Sequence, residues 1–121
     1  MQLYAERHAN VVVLKPAGRI DHQSAAAFGD ALEPYLASCR EAGDRLLFDL
    51  SALDYISSAG LRVLMIASKR TRPAGGEIAV AAPSPVVREI LEITRFDMVF
   101  PVHDTVAAGV HALARGAAPG S

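Results

Sequence analysis

The sequence "LLFDLSALDYISSAGLRVLMIASKRTR", residues 46–72, changes its apolar pattern near its centre. Its first part belongs to a near-continuous apolar run over 45–51, which is typical of a strand covered on both faces in a parallel sheet. Its last part repeats apolar residues at intervals of three and four, which predicts a helix over about 59–72. Two serines, Ser57 and Ser58, stand between these segments. The pattern therefore places two hydroxyl groups at the N-terminus of a helix.

The remaining sequence alternates between predicted strands and predicted helices. Further strands are expected at 2–8, 10–20, 77–83 and 97–103, and further helices begin near Asp21, at Ser84-Pro85 and at Asp104. The resulting order is β-β-α-β-α-β-α-β-α. Because strands joined by helices need crossover connections, the predicted fold class is α/β, a layered domain with a mixed, mostly parallel sheet. We expect residues 1–116 to form this domain and residues 117–121 to form a flexible C-terminal tail.

The composition of this 121-residue chain narrows the classes of function. A formal net charge of −1 provides no attraction to nucleic acid or to an acidic membrane, and no apolar stretch approaches the roughly 18 residues of a membrane span. Cys39 is the only cysteine and falls on the apolar face of a predicted helix, so we expect a buried thiol and no disulfide. The four histidines have no metal-ligand spacing. The first residues lack a signal peptide's apolar region, which favours the cytoplasm.

The serine pair has a structural use and a regulatory use. Serine is a favoured N-cap, worth about 1 kcal/mol to a helix, but capping needs only one of the two hydroxyls. A phosphate on Ser58 would lie where unpaired N–H groups and the helix dipole favour an anion. It would add roughly −1.5 to −2 charges, so a partner that packs against a neutral surface would meet both bulk and charge. Such a modification would switch binding without unfolding the domain.

A catalytic use of Ser58 is the weaker alternative. The nucleophile elbow of hydrolases is Gly-x-Ser-x-Gly, and Ile56 occupies the position of its first glycine. The one candidate for a general base is His22, oriented by the neighbouring Asp21, and no motif in the sequence supports this catalytic role. We therefore expect a protein that is not an enzyme and that needs no cofactor.

Three stretches of the sequence resemble one known family. "FDLSALDYISSAGLRVLMIASKR" resembles the signature of STAS domains, in particular the bacterial anti-sigma-factor antagonists, or anti-anti-sigma factors. "GRIDHQSAAAF" is similar to the family segment that opens the first helix, and "GGEIAVAAPSPVVREILEITRFDMVFPV" is similar to its later strand-helix-strand portion. The similarity covers nearly the whole chain, in order, and implies a STAS-like layered fold.

The resemblance also implies a partner and a modification. Ser58 matches the first serine of the family turn, which implies that it is the phosphoacceptor. The partner would be an anti-sigma factor that is a GHKL-type serine kinase using ATP and magnesium. The unphosphorylated antagonist binds this kinase and frees a sigma factor, phosphorylation ends the binding, and a PP2C-type phosphatase restores it. Asp21 matches the family's acidic residue near the acceptor, which implies a role in kinase recognition.

The chain departs from the family turn at two positions. Ser57 stands where the family has Asp, and Ala59 stands where it has a second Ser or Thr. Ser57 is therefore a rival acceptor, although Ser58 is preferred because it matches the family position. Arg62 is a candidate contact on the exposed side of the helix, or else a solvated helix charge. The candidate partner-binding residues are Asp21, Ser57, Ala59, Gly60 and Arg62.

Two other functions remain compatible with a STAS domain. One is a phosphorylation-switched module of a secretion or biofilm pathway, since sigma specificity lies in the partner. The other is an unphosphorylated subunit of a lipid or small-ligand transport complex, and the acceptor serine counts against it. The sequence indicates neither the oligomeric state nor the identities of the kinase, the phosphatase and the sigma factor.

Overall fold

The computed structural model describes residues 2–116, and the side chains as far as Ala114. It opens with an antiparallel hairpin of β1 (Gln2–His8) and β2 (Val11–Ile20), turning at Ala9, whose φ is 55°. The β-branched run at the start of β2 is fully buried, which explains why it forms a central strand. The hairpin predicted from the sequence is confirmed. The predicted tail, residues 117–121, lies outside the described residues.

Within residues 2–116, four helices and four further strands follow the hairpin. In chain order they are α1 (Ala25–Ser38), β3 (Arg45–Asp49), β4 (Leu53–Ile56), α2 (Ser58–Thr71), β5 (Ile78–Ala81), α3 (Pro85–Ile93), β6 (Val102–His103) and α4 (Val106–Gly116). The sheet order is β1-β2-β3-β5-β6, and β4 also pairs with β2. All pairs except β1–β2 are parallel, so the predicted mixed, mostly parallel α/β fold is confirmed.

Strand β4 was missing from the predicted element order. After β3 ends, the carboxylate of Asp49 accepts a hydrogen bond from the N–H of Ser51 at 3.0 Å, and the chain turns. β4 then pairs with the last three residues of β2, and the register shifts between Gly18, whose φ is 91°, and Arg19. The ten-residue strand β2 therefore pairs first with β3 and then with β4. Only two of the four β4 residues are buried, so the sequence contains no run of apolar residues that would indicate this strand.

The helices cover the two faces of the sheet unequally. Helices α1, α2 and α3 contribute to one large core, in which the rings of Phe28 and Phe48 meet edge to face at 6.3 Å. Helix α4 covers the other face, where Leu113 packs with Val11, Val13 and Leu47. Alternate residues of the central strands enter opposite cores, as the pleat of a sheet requires. Among residues 2–116, no helix combines the length and apolar character needed to cross a bilayer.

The ends of the helices show what local sequence can predict. Ser84 caps α3 ahead of Pro85, as expected, and α2 starts one residue earlier than predicted. Asp104 does not cap α4, because the hydroxyl of Thr105 accepts the hydrogen bond from the N–H of Ala108 at 3.1 Å. Asp104 instead pairs with Arg88 at 3.0 Å. The predicted cap at Asp104 is therefore wrong by one residue.

The predicted strand at 97–103 is mostly a turn. A 3₁₀ turn at Phe96–Met98 follows α3, and only Val102–His103 pairs with β5. The rings of Phe96 and Phe100 stack at 6.0 Å and are buried, so the apolar residues of this segment anchor a turn rather than a strand.

Cys39 is buried directly after α1, and burial raises the pKa of its thiol. The expected buried thiol is confirmed.

Gly60 allows the start of α2 to contact the ends of two strands. A Cβ at this position would lie 2.6 Å from Cγ2 of Ile20 and 2.8 Å from Cγ1 of Ile56. Both isoleucines are buried, at 0% and 2% exposure, so they have little freedom to move. The missing side chain therefore lets the first turn of α2 rest directly on β2 and β4.

We expect Gly60→Ala to lower the free energy of unfolding by about 1–3 kcal/mol, because the added methyl group overpacks this contact. Gly29→Ala is the matched control, since a Cβ there would lie an ordinary 3.7 Å from Val63. In the interior of α1 this second change should stabilise by about 0.5–1 kcal/mol. Urea unfolding of both variants measures the difference, and equal effects would contradict the close-approach explanation.

Candidate functional site

Ser57 is the N-cap of α2. Its hydroxyl oxygen accepts a hydrogen bond from the N–H of Gly60 at 3.2 Å, and its own N–H donates to the carbonyl of Ile20 at 2.8 Å. The residue is half-buried. One serine of the pair is thus committed to joining the helix start to the end of β2.

Ser58 is the first residue of α2 and is exposed. Its hydroxyl forms no hydrogen bond with any described residue. The first turn of the helix contains no acidic residue, so no carboxylate of the helix itself offsets the positive end of its dipole. The pair therefore divides into a hydroxyl that caps the helix and an exposed hydroxyl without a partner among the described residues.

This division predicts different stabilities for two alanine variants. Ser57→Ala should cost about 1 kcal/mol of unfolding free energy, because the N–H of Gly60 loses its partner. Ser58→Ala should stay within about 0.5 kcal/mol of wild type, because no contact is lost. Chemical denaturation of the two variants measures both values. A larger loss for Ser58→Ala would show that its hydroxyl has a structural bond.

The end of β2 and the start of α2 meet at one rim of the domain, because the N–H of Ser57 donates to the carbonyl of Ile20. Asp21 follows Ile20 and therefore lies at this rim with the serines. One carboxylate oxygen of Asp21 accepts hydrogen bonds from the N–H groups of Gln23 and Ser24 and from the hydroxyl of Ser24, at 2.9–3.0 Å. These bonds from Ser24, and to a lesser degree the charge of Arg19, hold the pKa of Asp21 below its usual value. The carboxylate therefore stays ionised and keeps its second oxygen free of bonds to described residues.

Arg19 and Tyr55 form a pair that the sequence did not indicate. They are register neighbours on β2 and β4, and the guanidinium carbon of Arg19 lies 4.7 Å from the centre of the Tyr55 ring. This is a cation–π geometry that holds a positive charge close to Asp21. The pair exists only because β4 pairs with β2, so no local signal in either segment would have found it.

A shallow apolar depression of about 300 Å³ lies beside Ser58. Its lining comes from one face of α2 and from the turn after α3: Ser58, Leu61, Arg62, Met65, Thr94 and Phe96. Two large side chains that flank this turn in the chain, Ile93 and Met98, are 73% and 80% exposed. The free hydroxyl therefore stands at the edge of a surface with apolar character suited to a protein partner.

The structure brings the candidate residues to one rim but gives them different roles. Arg62 is exposed and lines the depression, and it forms no ion pair with a described residue. Ala59 is half-buried, and Gly60 is buried against Ile20 and Ile56. Gly60 can therefore influence a partner only by positioning the serines, whereas Arg62 can touch it.

The described residues provide little for catalysis or metal binding. His22 is exposed and forms no hydrogen bond with Asp21 or with either serine of the pair. Over residues 2–116, no group of three or more His, Cys, Asp or Glu side chains is arranged to hold a metal ion. The prominent feature of this rim is an exposed hydroxyl, without a partner among the described residues, beside an apolar depression.

Known proteins share this sequence pattern and this fold. The STAS domain profile matches residues 2–109. BtrV of Bordetella bronchiseptica, provisionally described as an anti-sigma factor antagonist, is 41% identical over 88 residues, covering 72% of this chain and 76% of its own. The crystal structure of an anti-sigma factor antagonist from Mycobacterium paratuberculosis is 28% identical, covers 92% of both chains and superposes with a TM-score of 0.80.

A more distant structure shares the fold alone. The anti-sigma factor antagonist SpoIIAA in its unphosphorylated form is 16% identical, covers 95% of this chain and 97% of its own, and has a TM-score of 0.75. The phosphorylated form of SpoIIAA, from Bacillus, has a TM-score of 0.67 at 13% identity, covering 93% of this chain and 99% of its own. The chain therefore belongs to the STAS domain family. Within that family, the relatives named above are described as anti-sigma factor antagonists, BtrV provisionally.

Proposed function

We propose that this protein is an anti-sigma factor antagonist whose binding to its partner is switched by phosphorylation of Ser58. In the unphosphorylated state it binds an anti-sigma factor, a GHKL-type serine kinase, and so frees a sigma factor for transcription. The observation that carries the proposal is the exposed, unbonded hydroxyl of Ser58 at the start of α2, next to a serine whose hydroxyl is already used as the cap.

The transfer step needs only a hydroxyl from this chain. The Ser58 oxygen attacks the γ-phosphorus of ATP, its proton passes to a base of the kinase, and ADP leaves. ATP and magnesium are brought by the kinase, so the antagonist itself is not an enzyme and needs no cofactor. A PP2C-type phosphatase hydrolyses the phosphoester and restores the binding state. These partners place the cycle in the cytoplasm.

The electrostatics of the rim support a switch at this position. The phosphate adds roughly −1.5 to −2 charges beside the apolar depression, where a docked partner would have to desolvate them. In the free protein the same charge is tolerated, because an anion at a helix N-terminus is stabilised by about 0.3–1 kcal/mol. Phosphorylation therefore favours the free protein over the complex.

Asp21 and Ser57 define how the kinase meets the acceptor. The ionised carboxylate of Asp21 offers its unbonded oxygen at the rim, which suits a contact with a cationic group of the kinase. Ser57 contributes a neutral side chain where the family turn has an acidic one, so the turn itself supplies no carboxylate next to the acceptor. We infer that the carboxylate of Asp21 makes the acidic contact through which the kinase recognises this protein.

Phosphorylation by GHKL kinases encoded near this protein's gene tests the acceptor. With ATP and magnesium, the wild type should gain about 80 Da, located at Ser58 by fragmentation. Ser58→Ala should abolish the gain, whereas Ser57→Ala should retain it, because its hydroxyl is used as the cap. Circular dichroism of both variants confirms folding. Undiminished phosphorylation of Ser58→Ala would show that another residue is the acceptor.

Binding to the same kinase tests the charge switch. Ser58→Asp should weaken the complex about tenfold or more, because the carboxylate must be desolvated beside the depression. Ala42→Asp is the matched control, since it adds the same charge on the exposed loop between α1 and β3. Isothermal titration calorimetry gives the dissociation constants. Equal affinities for wild type and Ser58→Asp would exclude a switch that acts through charge.

A further inference from the structure

Arg62 is placed to interact with whatever Ser58 carries. It lies four residues after Ser58 on α2, so the two side chains occupy the same face of the helix. Side chains of an α-helix lean towards its N-terminus, which directs a long side chain at 62 back towards the turn that contains Ser58. Both residues also line the same depression.

The Arg62 guanidinium is not committed elsewhere among the described residues. Several other arginines have partners, such as Arg7 with Asp44 and Arg88 with Asp104, but Arg62 forms neither an ion pair nor a hydrogen bond there. The sequence of α2 contains no Asp or Glu, so no carboxylate on its own helix competes for this charge. The exposed acidic residues near the turn after α3, Glu92 and Asp97, also lie beyond ion-pair distance of Arg62.

The backbone at the start of α2 leaves a phosphate in need of a side-chain donor. The N–H of Gly60 is taken by the Ser57 hydroxyl, and the N–H of Leu61 donates to the Ser57 carbonyl at 2.9 Å. Only the N–H groups of the first two helical residues, Ser58 and Ala59, remain before the intrahelical bonds begin. A dianion with three oxygens can accept more bonds than these two groups provide.

We propose that Arg62 is the intramolecular phosphate-binding residue of this protein, closing onto the oxygens of phosphoserine 58 from one turn further along α2. The inference rests on the proposed phosphorylation of Ser58 and adds what happens after it. An anion that precedes a cation by four residues is the favourable order for a helical pair. A guanidinium can also donate two parallel hydrogen bonds to a phosphate.

The pairing gives phosphorylation a second effect on the docking surface. In the unphosphorylated protein, Arg62 presents a free positive charge at the edge of the depression. In the phosphorylated protein that charge is neutralised and its side chain is drawn over the rim. The partner therefore loses a contact with the positive charge of Arg62 and meets the negative charge of the phosphate. The local charge beside the depression thus changes from positive to negative.

A titration of the phosphate tests the pair without any kinase. Phosphoserine is installed at position 58 during translation, and the second pKa of the phosphate is followed by ³¹P NMR at low salt. Arg62→Gln should raise this pKa by about 0.2–0.4 unit, because the dianion loses its counter-ion. Lys69→Gln removes an equal charge two turns beyond Arg62 and should change the pKa by about a tenth of a unit or less. Arg62→Lys should recover part of the shift.

The outcomes separate this inference from the proposed function. Equal phosphate pKa values in wild type and Arg62→Gln would overturn the pairing, and so would equal shifts for Arg62→Gln and Lys69→Gln, which would indicate only a general field. Because the phosphoserine is installed directly, neither result bears on whether a kinase modifies Ser58. In 0.5 M salt the shift should shrink, as expected for an exposed ion pair.

Discussion

The close contact at Gly60 is the constraint on which the site depends. Because this residue has no side chain, the first turn of α2 rests on Ile20 and Ile56 at the ends of β2 and β4. That contact brings the N–H of Ser57 to the carbonyl of Ile20 and holds the capping geometry. The orientation of the helix then decides which hydroxyl points to solvent. A packing detail in the core thus determines the chemistry of the surface.

The serine pair shows how one short turn can meet two demands. A helix start needs a capping group, and a regulatory site needs a hydroxyl that an enzyme can reach. In the proposed function the chain supplies these with adjacent residues, so phosphorylation of Ser58 would leave the hydrogen bond that Ser57 makes. Asp21 and Arg62 come from different elements, one just after the end of β2 and the other from α2 itself. The charge at the rim is therefore adjustable without altering the core.

Local signals in the sequence predicted the elements whose ends are set by nearby residues. The start of α2, the Ser84-Pro85 start of α3 and the opening hairpin depend on caps, proline and turn residues within a few positions. The same signals failed over 97–103, where Phe96 and Phe100 stack on one another and a turn replaces most of the predicted strand. Apolar content shows that a segment is buried, but not which partner it packs against.

The sequence by itself determined the α/β class, the mostly parallel sheet, and the placement of two hydroxyls at a helix start, because periodicity and capping are local properties. Only the tertiary structure decided that β4 pairs with β2, that Arg19 lies over Tyr55, and that residues after α3 complete the depression beside Ser58. These contacts join segments far apart in the chain, and their geometry comes from packing against a shared core rather than from any neighbouring residue.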